Sequence, residues 1–96
     1  MSPLKKKKLS KIRFELDKLD DSLIKIIKIR TNLVKKVLAL KENKNQIVDK
    51  KRIKVILQNI KKKSLKNNID PKITNRIWKN MIWSYIDFER RNFKKK

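Results

Sequence analysis

The 96 residues suffice for one domain, and 30 Lys and Arg against 9 Asp and Glu give a formal net charge of +21. Cysteine, histidine and glycine are absent, which excludes disulfides, Cys/His metal sites, thiol or imidazole catalysis and glycine-rich phosphate loops. Lysines interrupt every apolar run, so we expect neither a signal peptide nor a membrane span, and a soluble, cytoplasmic protein.

The segment 1–8 (MSPLKKKK) predicts a disordered basic arm, and residues 94–96 a basic tail, on either side of a helical domain over residues 9–93. Only two prolines occur, at positions 3 and 71, so long helices meet almost no breakers. No stretch shows the alternation of apolar and polar residues that is typical of a β-strand.

The first helix is predicted from about Leu9 to Lys41 or Glu42. At 1.5 Å per residue it spans about 50 Å, whereas a compact domain of this length has a radius of gyration of only about 12 Å. Its heptad stripe therefore needs a partner, and we expect an intertwined homodimer. The stripe consists of Ile12, Leu16, Leu19, Leu23, Ile26, Arg30, Leu33, Val37 and Leu40.

The second helix is predicted to start after Asp49, as N-cap, and to run to about Leu65, with a turn at residues 66–69. The third starts with Asp70 as N-cap and Pro71 in the first turn, and continues to about Phe93. The predicted fold is all-α, with one long and two shorter helices per chain in an intertwined homodimeric bundle. Inner faces are predicted at Ile53, Ile56, Leu57 and Ile60 of the second helix and at Ile77, Trp78, Met81, Ile82, Tyr85 and Phe88 or Glu89 of the third.

Five charged residues lie on or near the apolar faces of the predicted helices. Arg30 occupies an apolar position of the stripe, which requires an anion beside it if it is buried. Lys41 lies about three turns further on the same face, and Arg13 is rotated by roughly a quarter turn, which suits a neighbouring subunit. Arg52 and Glu89 lie beside the inner faces of the other two helices. Taken singly, each also fits a snorkelling side chain or an ion pair, Glu89 with Arg30 or Arg52.

Three segments together carry a resemblance to a known family. They are "IRFELDKLDDSLIKIIKIRTNLVKKVLALK" (12–41), "VDKKRIKVIL" (48–57) and "IDPKITNRIWKNMIWSYIDFE" (69–89). In this order and spacing they resemble the three helices of the all-helical chorismate mutases, including the "D-x-x-R" start of the second. The resemblance covers residues 12–89 and implies a pericyclic rearrangement of chorismate to prephenate in aromatic amino acid biosynthesis, without cofactor or metal.

The resemblance also implies the site residues. It assigns Arg30, Lys41 and Arg52 to the site of one subunit and Arg13 to that of its partner. Lys41 and Glu89 would face the ether oxygen of the substrate, with Arg30 binding a carboxylate. Only a protonated Glu89 donates a hydrogen bond there. Substrate-binding residues by this analogy are Arg13, Arg30, Lys41, Asp49, Arg52, Tyr85 and Glu89.

One departure from the family pattern and one alternative class of partner stay open. Ile53 stands where most of these mutases have a Glu, and the related isochorismate pyruvate lyases are similar in carrying an aliphatic residue there. A lyase is therefore the second candidate. The charge alone suits a basic helical module that binds nucleic acid. Against this, A/T-rich codons explain many lysines, and the aromatic residues cluster on the third helix, mostly as core, rather than alternating with basic residues.

Overall fold

A computed structural model describes residues 1–94, which form three α-helices and one 3₁₀ turn, with no strand among them. The helices are α1 (Pro3–Leu40), α2 (Lys50–Lys66) and α3 (Pro71–Asn92), and the 3₁₀ turn is Lys44–Gln46. These bounds confirm the all-α class with one long and two shorter helices. The described residues form two compact units, Met1–Leu33 and those from Val34 onward.

Helix α1 begins six residues earlier than the sequence analysis predicted. Pro3 takes the first helical position, where a missing N–H costs nothing, and Ser2 Oγ accepts the backbone N–H of Lys5 at 3.2 Å. The prediction of a disordered arm over residues 1–8 is therefore wrong from Pro3 onward. Of the predicted tail, Lys94 follows α3 outside any helix, and residues 95 and 96 lie outside the described part.

None of the 38 residues of α1 is buried. The apolar members of its heptad stripe from Ile12 to Val37 each expose between 49% and 60% of their surface. An apolar face of this length left in water is unfavourable for a single chain. The single chain thus forms the predicted helix without covering its apolar stripe.

The starts of α2 and α3 agree with the capping signals in the sequence. Asp49 Oδ1 accepts the backbone N–H of Arg52 at 3.0 Å, and Asp70 Oδ1 accepts that of Lys72 at 2.9 Å. The turn between the helices contains Asn68 at φ 56°, the left-handed conformation that Asn tolerates better than most residues. The second and third predicted helices are confirmed to within a residue or two.

The core of the second unit is small and lies between α2, α3 and the residues that precede α2. Ile47, Ile82 and Ile86 are its buried members. The residues packed against it are Val48, Ile53, Ile56, Leu57 and Phe93. The predicted inner faces of α2 and α3 are half-buried or buried with one exception, since Ile77 remains 52% exposed. Ile77 is therefore the one member of the predicted inner faces that the single chain leaves exposed, and its place in a dimer stays a prediction.

The end of α2 is fixed to the start of α3 by hydroxyl groups. Ser64 is buried, and its Oγ lies 2.6 Å from the Oγ1 of Thr74 while donating to the carbonyl oxygen of Ile60. These bonds satisfy polar groups that would be costly to leave unpaired in the interior. They join the end of α2 to the first turn of α3. In residues 1–94, no helix combines the length and the hydropathy needed to cross a membrane.

Candidate active site

Lys41 and Glu89, which lie 48 positions apart in sequence, form an ion pair within the second unit. Lys41 Nζ donates to Glu89 Oε2 at 2.6 Å. Their side chains keep only 17% and 9% of their surface exposed, respectively. Charges so far removed from water interact strongly and need good hydrogen-bonding geometry to offset their desolvation. The pair is the most enclosed charged group described in the chain's second unit.

The turn after α1 explains why the Lys41 side chain takes this position. Gln46 Oε1 accepts the backbone N–H of Glu42 at 2.6 Å and that of Asn43 at 3.3 Å, which closes the turn. The closed turn brings the carbonyl oxygen of Ile47 to 3.5 Å from Lys41 Nζ, where it accepts a long hydrogen bond. Ile47 itself is anchored in the core. The ammonium group is thus held from two sides.

Lys41 also lines an open hollow of about 610 Å³. Asp49 lies on the same hollow, so two of the predicted site residues meet there. Asp49 is exposed, and one of its carboxylate oxygens already caps α2. The other lining residues are Val37, Leu40, Asn45, Gln46, Val48, Lys50 and Lys51. Three ammonium groups against a single carboxylate make this hollow suited to an anion.

Arg52 and Tyr85 lie on the helices as predicted, but they are not among the residues that line this hollow. Arg52 is exposed in the first turn of α2, and its backbone N–H is the one that Asp49 caps. Tyr85 is half-buried on α3, one turn before Glu89. The part of the site that this unit assembles therefore consists of the Lys41–Glu89 ion pair and of Asp49, which lines the same hollow as Lys41.

The two remaining predicted residues, Arg13 and Arg30, belong to the first unit. Arg13 is exposed on α1. Arg30 is half-buried, and its Nε is buried without a hydrogen-bond partner among the described residues. An orphaned guanidinium N–H is costly, and an anionic ligand would satisfy it.

The residues that organise the turn and extend the hollow were not predicted from the sequence. Gln46 and the carbonyl oxygen of Ile47 position Lys41, and Lys50 and Lys51 add positive charge. The pair Asn43 and Gln46 has the spacing of a capping box and would have revealed the turn. A backbone carbonyl leaves no such signal in a sequence.

In the described part of the chain, no group of three or more acidic side chains is placed to hold a metal ion. Among known proteins, no curated protein and no solved structure matches the chain. A family model does match: that of chorismate mutase type II, over residues 12–90. The match covers all of α2 and most of α1 and α3, and it contains every predicted site residue. The chain therefore belongs to the chorismate mutase type II family, a family of all-helical isomerases.

Proposed function

We propose that the chain rearranges chorismate to prephenate, a step toward Phe and Tyr, and that it does so as a homodimer with a catalytic domain over residues 9–93. The observation that carries the proposal is the enclosed pair of Lys41 and Glu89, 2.6 Å apart at the edge of a cation-rich hollow. The family match supplies the substrate class.

The reaction needs no nucleophile, metal or cofactor, because one bond breaks and another forms within a single molecule. The protein contributes by holding the chair-like conformer and by stabilising charge on the breaking ether oxygen. A chain without histidine or cysteine is equipped for such chemistry. The groups that it contributes to the reaction are cations and hydrogen-bond donors.

Lys41 is the proposed donor to the ether oxygen. Its ammonium group has three N–H donors, of which one is directed to Glu89 and a second to Ile47. The third is available to a ligand in the hollow. In the chain without ligand, Glu89 accepts a hydrogen bond from Lys41. It is proposed to act as a second donor to the ether oxygen once it carries a proton in the substrate complex, since a carboxylate would repel developing negative charge.

Arg30 and Arg13 are proposed to bind the two carboxylates of the substrate, Arg13 from the partner subunit. The unpartnered Nε of Arg30 supports an anionic ligand for that side chain. Guanidinium groups bind carboxylates with two parallel hydrogen bonds, which Lys does not reproduce. Arg52, Asp49 and Tyr85 are proposed to contact the ring end of the substrate.

The exposed stripe of α1 supports the homodimer. A second copy of α1 presents the same spacing of apolar residues, and two such stripes pack as knobs into holes. Sedimentation equilibrium of the purified protein tests this part, with a mass near 23 kDa, twice the chain mass of 11.6 kDa, as the expected result. A monomer at micromolar concentration would overturn it.

Ile53 keeps the isochorismate pyruvate lyase as a second candidate. It is half-buried and packs against the core residues Ile47, Ile82 and Ile86, so it offers no hydrogen bond to a ligand. The description of the matched family, chorismate mutase type II, supports the mutase as the first candidate.

The deciding experiment incubates the purified protein with chorismate and, separately, with isochorismate, and identifies the products. Prephenate from chorismate is the expected outcome. Salicylate and pyruvate from isochorismate, with little prephenate, would make the lyase correct. Lys41→Met serves as the control for a contaminating enzyme, because true turnover falls with that substitution.

A further inference from the structure

The outward side of α3 carries a row of basic residues with an exposed tryptophan among them. Lys72, Arg76, Lys79, Trp83 and Arg90 are spaced by four, three, four and seven positions, so they share one side of the helix. All five are exposed, and Trp83 keeps 53% of its surface in water. We call these five residues the α3 basic face.

The basic face continues at its amino-terminal end into a hollow between α2 and α3. This hollow has a volume of about 460 Å³. Its polar lining consists of Lys54, Gln58 and Lys61 from α2 and Lys72 and Asn75 from α3. Leu57 and Pro71 complete the lining, which contains no carboxylate among the residues described. Three ammonium groups and two amides thus converge on one concave surface.

From these features we propose that the α3 basic face and the adjoining hollow bind single-stranded nucleic acid. The lysines and arginines pair with phosphates, the amides donate to phosphate or sugar oxygens, and the indole of Trp83 stacks on an unpaired base. None of these residues belongs to the candidate active site. The proposal is therefore independent of the mutase function.

The exposed indole distinguishes this partner from other polyanions. An acidic peptide would use the cations but gain little from a flat aromatic ring, and a duplex covers the faces of its bases. From Lys72 to Arg90 the helix rises about 27 Å, and single-strand sites accommodate about four nucleotides or more. The aromatic residues of α3 were expected to lie mostly in the core. Trp78, Tyr85 and Phe88 are half-buried and agree with this expectation, whereas Trp83 is exposed and does not.

The test measures the binding of a fluorescein-labelled 12-mer oligouridylate by anisotropy over a range of salt concentrations. The variant Lys54→Gln/Lys61→Gln/Lys72→Gln removes three charges from the proposed surface. Its control, Lys5→Gln/Lys6→Gln/Lys7→Gln, removes three charges from the first turns of α1. The surface variant should reduce the slope of log K against log salt by about 2, at about 0.7 per lost phosphate contact, and the control should leave it nearly unchanged.

A second comparison isolates stacking from charge. Trp83→Ala should weaken binding roughly tenfold, whereas Phe14→Ala should not, although Phe14 is also exposed and has Lys18 Nζ 4.6 Å from its ring centroid. Circular dichroism on heating checks that all variants fold alike.

Several outcomes would overturn the proposal. Equal weakening by the two triple variants would mean that overall charge, not this surface, attracts the strand. Full affinity of Trp83→Ala would remove the stacking contact. Tighter binding of polyglutamate or of phosphatidylserine vesicles at the same salt would identify another class of partner, and no binding at 100 mM salt would leave no site at all.

Discussion

Replacing Lys41 with Met separates the structural role of the Lys41–Glu89 pair from its proposed role in catalysis. Two unit charges 2.6 Å apart attract by about 6 kcal/mol at an effective dielectric constant of 20, and desolvation offsets much of that gross value. Met keeps the volume of the side chain but leaves Glu89 buried with no ammonium partner. Removing one member of a buried pair costs about 3–5 kcal/mol, and the partial exposure of Lys41 places the expected loss near 3 kcal/mol.

The double variant Lys41→Met/Glu89→Gln tests whether stability and activity depend on the same interaction of Lys41. It removes the buried charge together with its partner, so about 2 kcal/mol of the lost stability should return. Activity should not return, because the donor to the ether oxygen is still missing, and loss of such a donor lowers kcat by about 10²–10³. Stability would be measured by urea unfolding at one fixed protein concentration, since a dimer's stability depends on it.

Two results would refute this reasoning. If Lys41→Met unfolds at the same urea concentration as the parent, the pair does not hold a buried charge in solution. If the double variant regains turnover with its stability, Lys41 acts only as the partner of Glu89 and not on the substrate. Lys36→Met, at an exposed position of α1, is the matched control for loss of one lysine.

Four further predictions test the remaining parts of the site. Glu89→Ala should lower kcat more than Glu89→Gln, because the amide of Gln keeps a hydrogen-bond donor for the ether oxygen; an equal loss in the two variants would contradict this role of Glu89. Mixing Arg13→Ala with Lys41→Ala chains should restore up to about a quarter of parental activity, since half of the dimers carry one intact site of two; no recovery would place Arg13 in its own subunit's site. Asp49→Ala should cost about 1 kcal/mol in urea unfolding through the lost cap, and an unchanged midpoint would mean that the cap is dispensable. Arg30→Leu should tighten the dimer in sedimentation equilibrium while abolishing turnover; a weaker dimer would mean that Arg30 has a structural partner.

Local signals predicted the second and third helices because each starts at an Asp whose carboxylate caps the first turn. The same kind of signal, Ser2 followed by Pro3, lies at the start of α1, but the lysine run after it suggested disorder. Lysine has a good helix propensity, and repulsion among exposed lysines is weakened by water and salt. The structure accordingly extends α1 to Pro3.

Contacts between distant parts of the chain were harder to predict. Periodicity identified Lys41 and Glu89 separately, and the family resemblance assigned both to one substrate oxygen. Neither predicted the ion pair between them, since the partners considered for Glu89 were Arg30 and Arg52, whereas the turn after α1 brings Lys41 to Glu89. The Lys41 contact to the Ile47 carbonyl depends on the Gln46 turn, which has no side-chain signature on Ile47 itself. The exposure of Trp83, by contrast, could have been predicted. Trp83 directly follows the buried Ile82, and each step along a helix turns the side chain by about 100°, which here is toward solvent.

In the proposed dimer, the position of Arg30 would link dimer formation to the proposed binding of substrate. Arg30 falls in the same heptad register as Ile26 and Leu33, whose stripe is the one that a second copy of α1 would cover. A dimer without ligand would then enclose a guanidinium with an unsatisfied Nε in its interface, which weakens it. A dianionic substrate relieves that cost, so binding energy and association energy become coupled. We therefore expect an apolar residue at position 30 to give a tighter dimer and a poorer enzyme, which would mean that the arginine lowers the stability of the dimer in exchange for an anion site.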